Sequence, residues 1–327
     1  RDAMRTFERG LQLSQEQGTP ALVVRGTSDM HVGMSELYRE RNELNTAVEH
    51  LLRSKELGEH TGLPQNKYRW CVAMARIRMV EGDLDGALNL LNEAERLYVG
   101  DFSPNVHPIA AVRTRLWVIQ GRLGEAFDWA REQGLSAEDN LSYLREFDHI
   151  TLARLLLARS KNDSNGQSMF ETRRLLERLL QAAQDGGRLA SEIEILLLQA
   201  LALQIQADIS AALIPLERAL TLAEPEGYIR TFLDEGSPMV QLLREAASHR
   251  IMPEYTTKLL GSFKDSQHTS ESVFSIPASQ PLMDPLSQRE LEVLRLFKTE
   301  LSGPEIAREL VVALSTVRTH TESIYIK

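Results

Sequence analysis

The 327-residue sequence predicts an all-α chain: a superhelical array of paired helices, then a tether, then a small helix-turn-helix domain. Three observations predict it. From residue 1 to about 263, apolar residues recur at helical spacing between short Gly, Asp or Asn breaks, without an alternating β-branched run of strand type. A turn followed by Leu-x-x-Ala returns at a fixed period. The last 42 residues, 286–327, divide into three short amphipathic segments, each opened by a serine placed to cap it.

The repeat is carried by NELNTAVEHL (42–51), GDLDGALNLL (82–91), GRLGEAFDWA (121–130) and ADISAALIPL (207–216). Its alanines stand at 47, 87, 126 and 212, spaced by 40, 39 and 86, the last about two periods of 43. FETRRLLERLL within 169–180 supplies the intermediate copy, with a blurred turn. A second helix lies between successive marks: QNKYRWCVAMARIRMV, PIAAVRTRLWVIQ, LREFDHITLARLLLAR and RLASEIEILLLQALALQ. The unit is a helix pair, longer than the ~34 residues of a tetratricopeptide repeat, so the class is a tetratricopeptide-like helical-repeat superhelix. An inward alanine lets paired helices approach, and each pair covers the apolar face its neighbour leaves open. The expected surface is concave, with right-handed winding taken from the tetratricopeptide likeness. Pro215 inside the last repeat helix is expected to cost a backbone hydrogen bond and kink it, unless that helix starts near Ile214. Short helices near 227–233, 237–247 and 253–263 should then cover the final apolar edge. Residues 264–283, rich in Ser, Gln and Pro, read as a flexible tether with a reach of roughly 25 Å.

In the last domain, 284–327, Ser287 with Glu290 caps the first helix, which turns Leu291, Leu294 and Phe297 inward. Ser302 with Glu305 caps the second, with Pro304 in its first turn and Ile306, Ala307 and Leu310 inward. Ser315 caps the third, with Val317, Thr321 and Ile324 on a core face and Arg318, Thr319 and Glu322 opposite. A cation and a hydroxyl at the start of the second helix of such a pair suit the major groove.

EIARELVVALSTVRTH and RELEVLRLF closely resemble the LuxR-type DNA-binding domain. SYLREFDHITLARLLLA and PLERALTLAEPEGYIRTFLDEG resemble the helical sensor region of the large ATP-binding LuxR-type regulators, the MalT-like activators. The resemblance spans nearly the whole chain and implies a transcriptional regulator. It implies base contacts by Arg318, Thr319 and Glu322, of which Arg318 suits guanine. Ser315, Thr316 and Lys327 suit phosphates. Glu300 departs from the family's glycine after the first helix, and Glu322 stands where a basic or amide residue is common. The family's nucleotide-binding domain precedes the repeats. No G-x-x-x-x-G-K-[ST] loop occurs in this sequence, so ATP is expected only in an amino-terminal domain outside it. Both ends read as helices under way, the expectation being a fragment whose fourth domain helix lies beyond Lys327.

Composition bounds the rest. A formal net charge of −9 opposes general nucleic-acid coating, so contact with double-stranded promoter DNA must be local. Residues 284–327 carry six basic and seven acidic side chains, so even this segment is near neutral. One cysteine, Cys71, excludes an internal disulfide and fits a buried thiol in a reducing, cytoplasmic setting. No apolar run has the ~18 residues that span a bilayer. The eight histidines show no metal-ligand spacing; His149 reads as a packing residue, and Asp83 and Asp85 as turn and cap residues rather than an acid–base pair. No enzyme is indicated. A concave groove fits a small-molecule inducer or a regulatory protein, with Trp70, Arg76, Arg113, Trp117 and Tyr143 as candidate lining. The other reading of these aromatics is core, and of Arg76, Arg78, Arg113 and Arg115 either a lining for an anionic ligand or a solvated face. Self-association on a promoter belongs to the regulator reading. The alternative is a peptide- or protein-binding scaffold whose terminal helices merely cap the array.

Overall fold

The structure, a computed structural model, describes residues 2–16, 26–100, 105–161, 166–273, 303–310, 312 and 316. The chain divides into two compact units, Arg1–Ser266 and Gln267–Lys327. Every regular element among the described residues is helical.

In the first unit, α1 (Asp2–Glu16) leads into five helix pairs. They are α2 (Thr27–Glu40) with α3 (Leu44–Thr61), α4 (Asn66–Val80) with α5 (Leu84–Arg96), and α6 (Ile109–Ile119) with α7 (Leu123–Glu132). The last two are α8 (Glu146–Ser160) with α9 (Gln167–Asp185), and α10 (Leu189–Ile205) with α11 (Ile209–Ala223). The repeat alanines do what their size allows. Ala47, Ala87, Ala126 and Ala212 are each 0% exposed at a helix–helix contact. The blurred copy uses Thr172, also 0% exposed and 40 residues before Ala212, its hydroxyl turned back onto the Ser168 carbonyl at 2.6 Å.

The turns between helices repeat as well. Asn42, Gly82, Gly121, Gly187 and Ala207 have φ of 63°, 81°, 74°, 61° and 61°, the left-handed region that ends a helix. The next residue in each case donates its N–H to a carbonyl five back, as in Glu43 to Tyr38 (2.9 Å) and Asp208 to Leu203 (3.1 Å). Asp83 and Asp208 then cap the following helices, accepting from the N–H of Gly86 at 2.9 Å and of Ala211 at 3.1 Å. α11 runs through Pro215, which withholds one backbone donor from that helix.

After a 3-10 turn at Glu224–Glu226 come α12 (Arg230–Leu233), α13 (Ser237–Ser248) and α14 (Pro253–Val273), the boundary of the first unit at Ser266 falling within α14. Phe232, Met239, Leu242, Leu243 and Leu259, all 0% exposed, cover the apolar edge of the last pair. α14 continues ten residues past Phe263, into the stretch expected to be a tether. The apolar rows at Tyr255, Leu259 and Phe263 start this helix, and no Gly or Pro stands between Phe263 and Val273 to stop it.

An open solenoid touches only its neighbours. This one also closes on itself. The N–H of Ile229 donates to the Glu40 carbonyl at 3.0 Å, and the Thr231 N–H and hydroxyl both donate to the Glu40 carboxylate at 2.8 Å. Arg230 Nη1 donates to Asn42 Oδ1 at 3.2 Å, and Arg39 reaches Asp234 at 3.4 Å. Partners some 190 residues apart thus join α12 to the end of α2.

In the second unit, α15 (Gly303–Glu309) carries Pro304 in its first turn. Ile306 (0% exposed) and Ala307 (5%) are buried, with Leu310 and Val312 half-buried against them. The Val312 N–H closes the turn onto the Ala307 carbonyl at 2.9 Å. The three residues expected to face inward on this helix therefore do so.

Candidate functional site

Within the first unit lies a cavity of about 870 Å³, walled by the first helix of successive pairs and by α12. Its floor follows the repeat. Glu36, Arg76, Arg115, Arg154 and Glu194 stand 40, 39, 39 and 40 residues apart, one register position on α2, α4, α6, α8 and α10. The last four line the cavity.

The rungs are tied to one another. Arg76 Nη1 meets Glu36 at 2.8 Å, while Arg115 Nη1 and Arg154 Nε both donate to the same Glu194 oxygen, each at 2.8 Å. Arg154 also holds Glu235 at 2.7 Å. Burial pushes the Glu194 carboxyl up, but Arg115 and Arg154 together outweigh it and hold the group down at about 2. Arg115 is lowered to about 10, first by burial and then by Arg154 and Arg76, against the pull of Glu194. It stays charged at neutral pH. Its Cζ lies 3.7 Å from the centre of the Phe147 ring, and its Nε donates to Thr151 Oγ1 at 2.9 Å. Its Nη2 is buried and has no hydrogen-bond partner among the described residues. His107 stands edge-on to Phe147 at 4.6 Å and is lowered to about 4, by burial and then by Arg76 and Arg115. Over the whole wall, seven cationic side chains face five carboxylates. That makes a locally cationic hollow in a chain of net charge −9.

The residues expected to line a groove divide. Arg76 and Tyr143 line this cavity, Tyr143 being 55% exposed with the Arg188 guanidinium 5.7 Å from its ring. Trp70, Arg113 and Trp117 lie elsewhere. The Trp70 indole donates to the Leu51 carbonyl at 2.7 Å and joins two core clusters. Arg113 pairs with Glu95 and lies 5.3 Å from the Trp117 ring, which Arg122 approaches at 5.6 Å. Arg78 pairs outward with Glu81 at 2.9 Å. Arg154 and Glu194 escaped the sequence reading, although the 39–40-residue spacing from Arg115 was there to find them.

Other titratable residues serve the fold. His149, 1% exposed, has Nδ1 at 2.8 Å from the Arg145 carbonyl and Nε2 at 3.1 Å from Asp139. Cys71 is buried, and that burial raises its thiol. Histidines 31 and 50, distant in sequence, meet across α2 and α3 with Nδ1 atoms 2.8 Å apart. Burial first, then His50 and Arg53, lowers His31 to about 4. No group of three metal-ligating side chains occurs among the described residues, and no described helix is long and apolar enough to cross a membrane.

Within 284–327, Thr316 is half-buried and helical. Ser315, Arg318, Thr319, Glu322 and Lys327 lie outside the described residues, as do Glu300, Ser287, Ser302, Val317, Thr321 and Ile324.

An array of about 40-residue helix pairs around a charged hollow, followed by a unit carrying a short buried-face helix, defines a tetratricopeptide-like protein with an appended helical domain. The chain belongs to the family of MalT-like TPR regions, whose model matches residues 1–249. Residues 284–327 match the luxR family of bacterial regulatory proteins. Among its relatives is the HTH-type transcriptional regulator MalT of Klebsiella pneumoniae (strain 342), 29% identical over 287 residues. That alignment covers 81% of this chain and 30% of the relative, so it spans less than a third of that protein's length.

Proposed function

We propose that this chain is the sensing and DNA-reading part of a bacterial transcriptional regulator that works in the cytoplasm. The array takes up a small-molecule inducer or a regulatory protein, and its state decides whether the 284–327 domain engages promoter DNA. The observation that carries this reading is the pairing, in one chain, of a MalT-like repeat region with a luxR-family segment. The charged hollow supports a small ligand over an extended peptide, because Glu40, Asn42, Ile229, Arg230 and Thr231 join α2 to the start of α12 beside it.

On the DNA, Arg318, Thr319 and Glu322 read bases, while Ser315, Thr316 and Lys327 hold phosphates. The test is fluorescence anisotropy of the intact protein on duplexes from its own promoter region and on shuffled duplexes of equal length. A bidentate arginine–guanine contact discriminates by ~1–3 kcal/mol, so Arg318→Ala should weaken cognate binding about tenfold or more while leaving the shuffled duplex nearly unchanged. Equal cognate affinity for the variant means that the reading face is assigned wrongly. No preference for any duplex favours the scaffold alternative.

A further inference from the structure

We propose that the cavity of the repeat array binds the oxyanion of a small organic molecule, a carboxylate or phosphate, on Arg115. This rests on the reading of the cavity as a ligand site and adds the chemistry of the ligand.

The first ground is the register. In a helical-repeat array, residues one period apart on successive inner helices are neighbours. Arg76, Arg115 and Arg154 therefore form three consecutive cationic rungs, and carboxylates of that register occur only at the two ends, Glu36 and Glu194. Arg76 takes Glu36; Arg154 takes Glu194 together with Glu235. Arg115, the middle rung, has only a share of a Glu194 oxygen that Arg154 already occupies. Arg154 and Arg76 both push on the Arg115 charge, and an anion beside it offsets that push.

Geometry is the second ground. Arg115 is fixed on three sides, by Thr151 at Nε, by Glu194 at Nη1 and by the Phe147 ring beneath its plane. What is left is Nη2, a buried donor with no partner among the described residues. A planar guanidinium held this way is pre-organised for an oxyanion, with little side-chain freedom left to lose on binding. The remaining wall supplies Met79, Val112, Val118 and Leu198, apolar surface that a bare inorganic ion cannot use and an organic acid can. The excess of cations along that wall, in an acidic chain, also concentrates anions there.

The experiment is isothermal titration of the full 327-residue chain with malonate and glycerol phosphate, against the uncharged counterparts malonamide and glycerol. The expected result is saturable binding of at least one acid, with its uncharged counterpart at least tenfold weaker. Arg115→Met should weaken that acid at least tenfold, Arg115→Lys less, and Arg53→Ala, on an exposed outer helix, not at all. Circular dichroism melts check that the variants fold. A second readout needs no variant: an anion beside Arg115 offsets the push of Arg76 and Arg115 on His107, so the His107 ring signals in NMR should titrate at higher pH with the acid bound. Uncharged probes binding as tightly as the acids would overturn the proposal and leave the cavity reading standing. An acid that binds equally well to Arg115→Met, or leaves the His107 titration in place, overturns the assignment to Arg115. If no probe of either kind binds, the proposal and the cavity reading fall together.

Discussion

At the scale of single residues, Glu194 is the side chain on which most depends. Two guanidiniums converge on one of its oxygens, and its side chain is only 17% exposed. Removing one partner of a buried ionic cluster leaves uncompensated charge, which costs about 3–5 kcal/mol. Glu194→Ala leaves Arg115 without a carboxylate and Arg154 with Glu235 alone, so we expect a loss of about 3 kcal/mol in urea unfolding of the chain. A loss below about 1 kcal/mol would place this cluster with ordinary surface pairs. The same residue shows where a sequence is opaque. Arg76 and Arg115 attract notice as cations on apolar helices, but nothing separates Glu194 from Glu192 in SEIEILLLQALAL until the 40-residue ladder places Glu194 opposite Arg154. Trp70 and Trp117 carried two readings in the sequence, groove lining and core. An aromatic on an inner helix looks like groove lining, yet the Trp70 N–H finds a backbone carbonyl inside the core.

At the scale of elements, the helix pair is the unit of both folding and error. The turn chemistry was legible: Gly82, Gly121 and Gly187 take left-handed conformations that cost a side-chain-bearing residue ~1–2 kcal/mol. Ala207 makes the same turn without that freedom, at φ 61°. Ala207→Gly is therefore expected to raise stability by about 1 kcal/mol, read as a higher melting temperature in calorimetry. An unchanged or lower melting temperature would mean that the turn's strain is taken up elsewhere. The alanine register was equally plain, because a residue that must fit between two helix axes leaves a size signature every 40 positions. The fourth copy hid because Thr172 fills that slot with a hydroxyl folded back on its own helix. α14 hid for a different reason: polar residues after Phe263 are compatible with helix and tether alike, and only the helix already started at Pro253 carries them forward.

At the scale of the whole molecule, what no sequence pattern announced is the closure of the array. Glu40, Asn42 and Arg39 meet Ile229, Arg230, Thr231 and Asp234 through hydrogen bonds that span nearly the whole first unit. Repeat periodicity describes neighbours, so a contact between the first pair and the terminal helices lies outside what it can encode. These bonds are polar and few, which makes them a latch that can be biased, and a ligand with unequal affinity for the latched and unlatched array shifts the balance by that difference alone. We propose that the state of the array governs whether residues 284–327 engage DNA. The most direct measurement is anisotropy of the cognate promoter duplex titrated with the intact protein and with the latch variant Glu40→Ala combined with Arg230→Ala, folding being checked by circular dichroism. Since neither residue belongs to the luxR-family segment, a reader under the array's control should show a change in apparent affinity of about fivefold or more, the lower end of ordinary allosteric coupling. Superimposable isotherms from two equally folded proteins would mean that the array does not govern DNA binding.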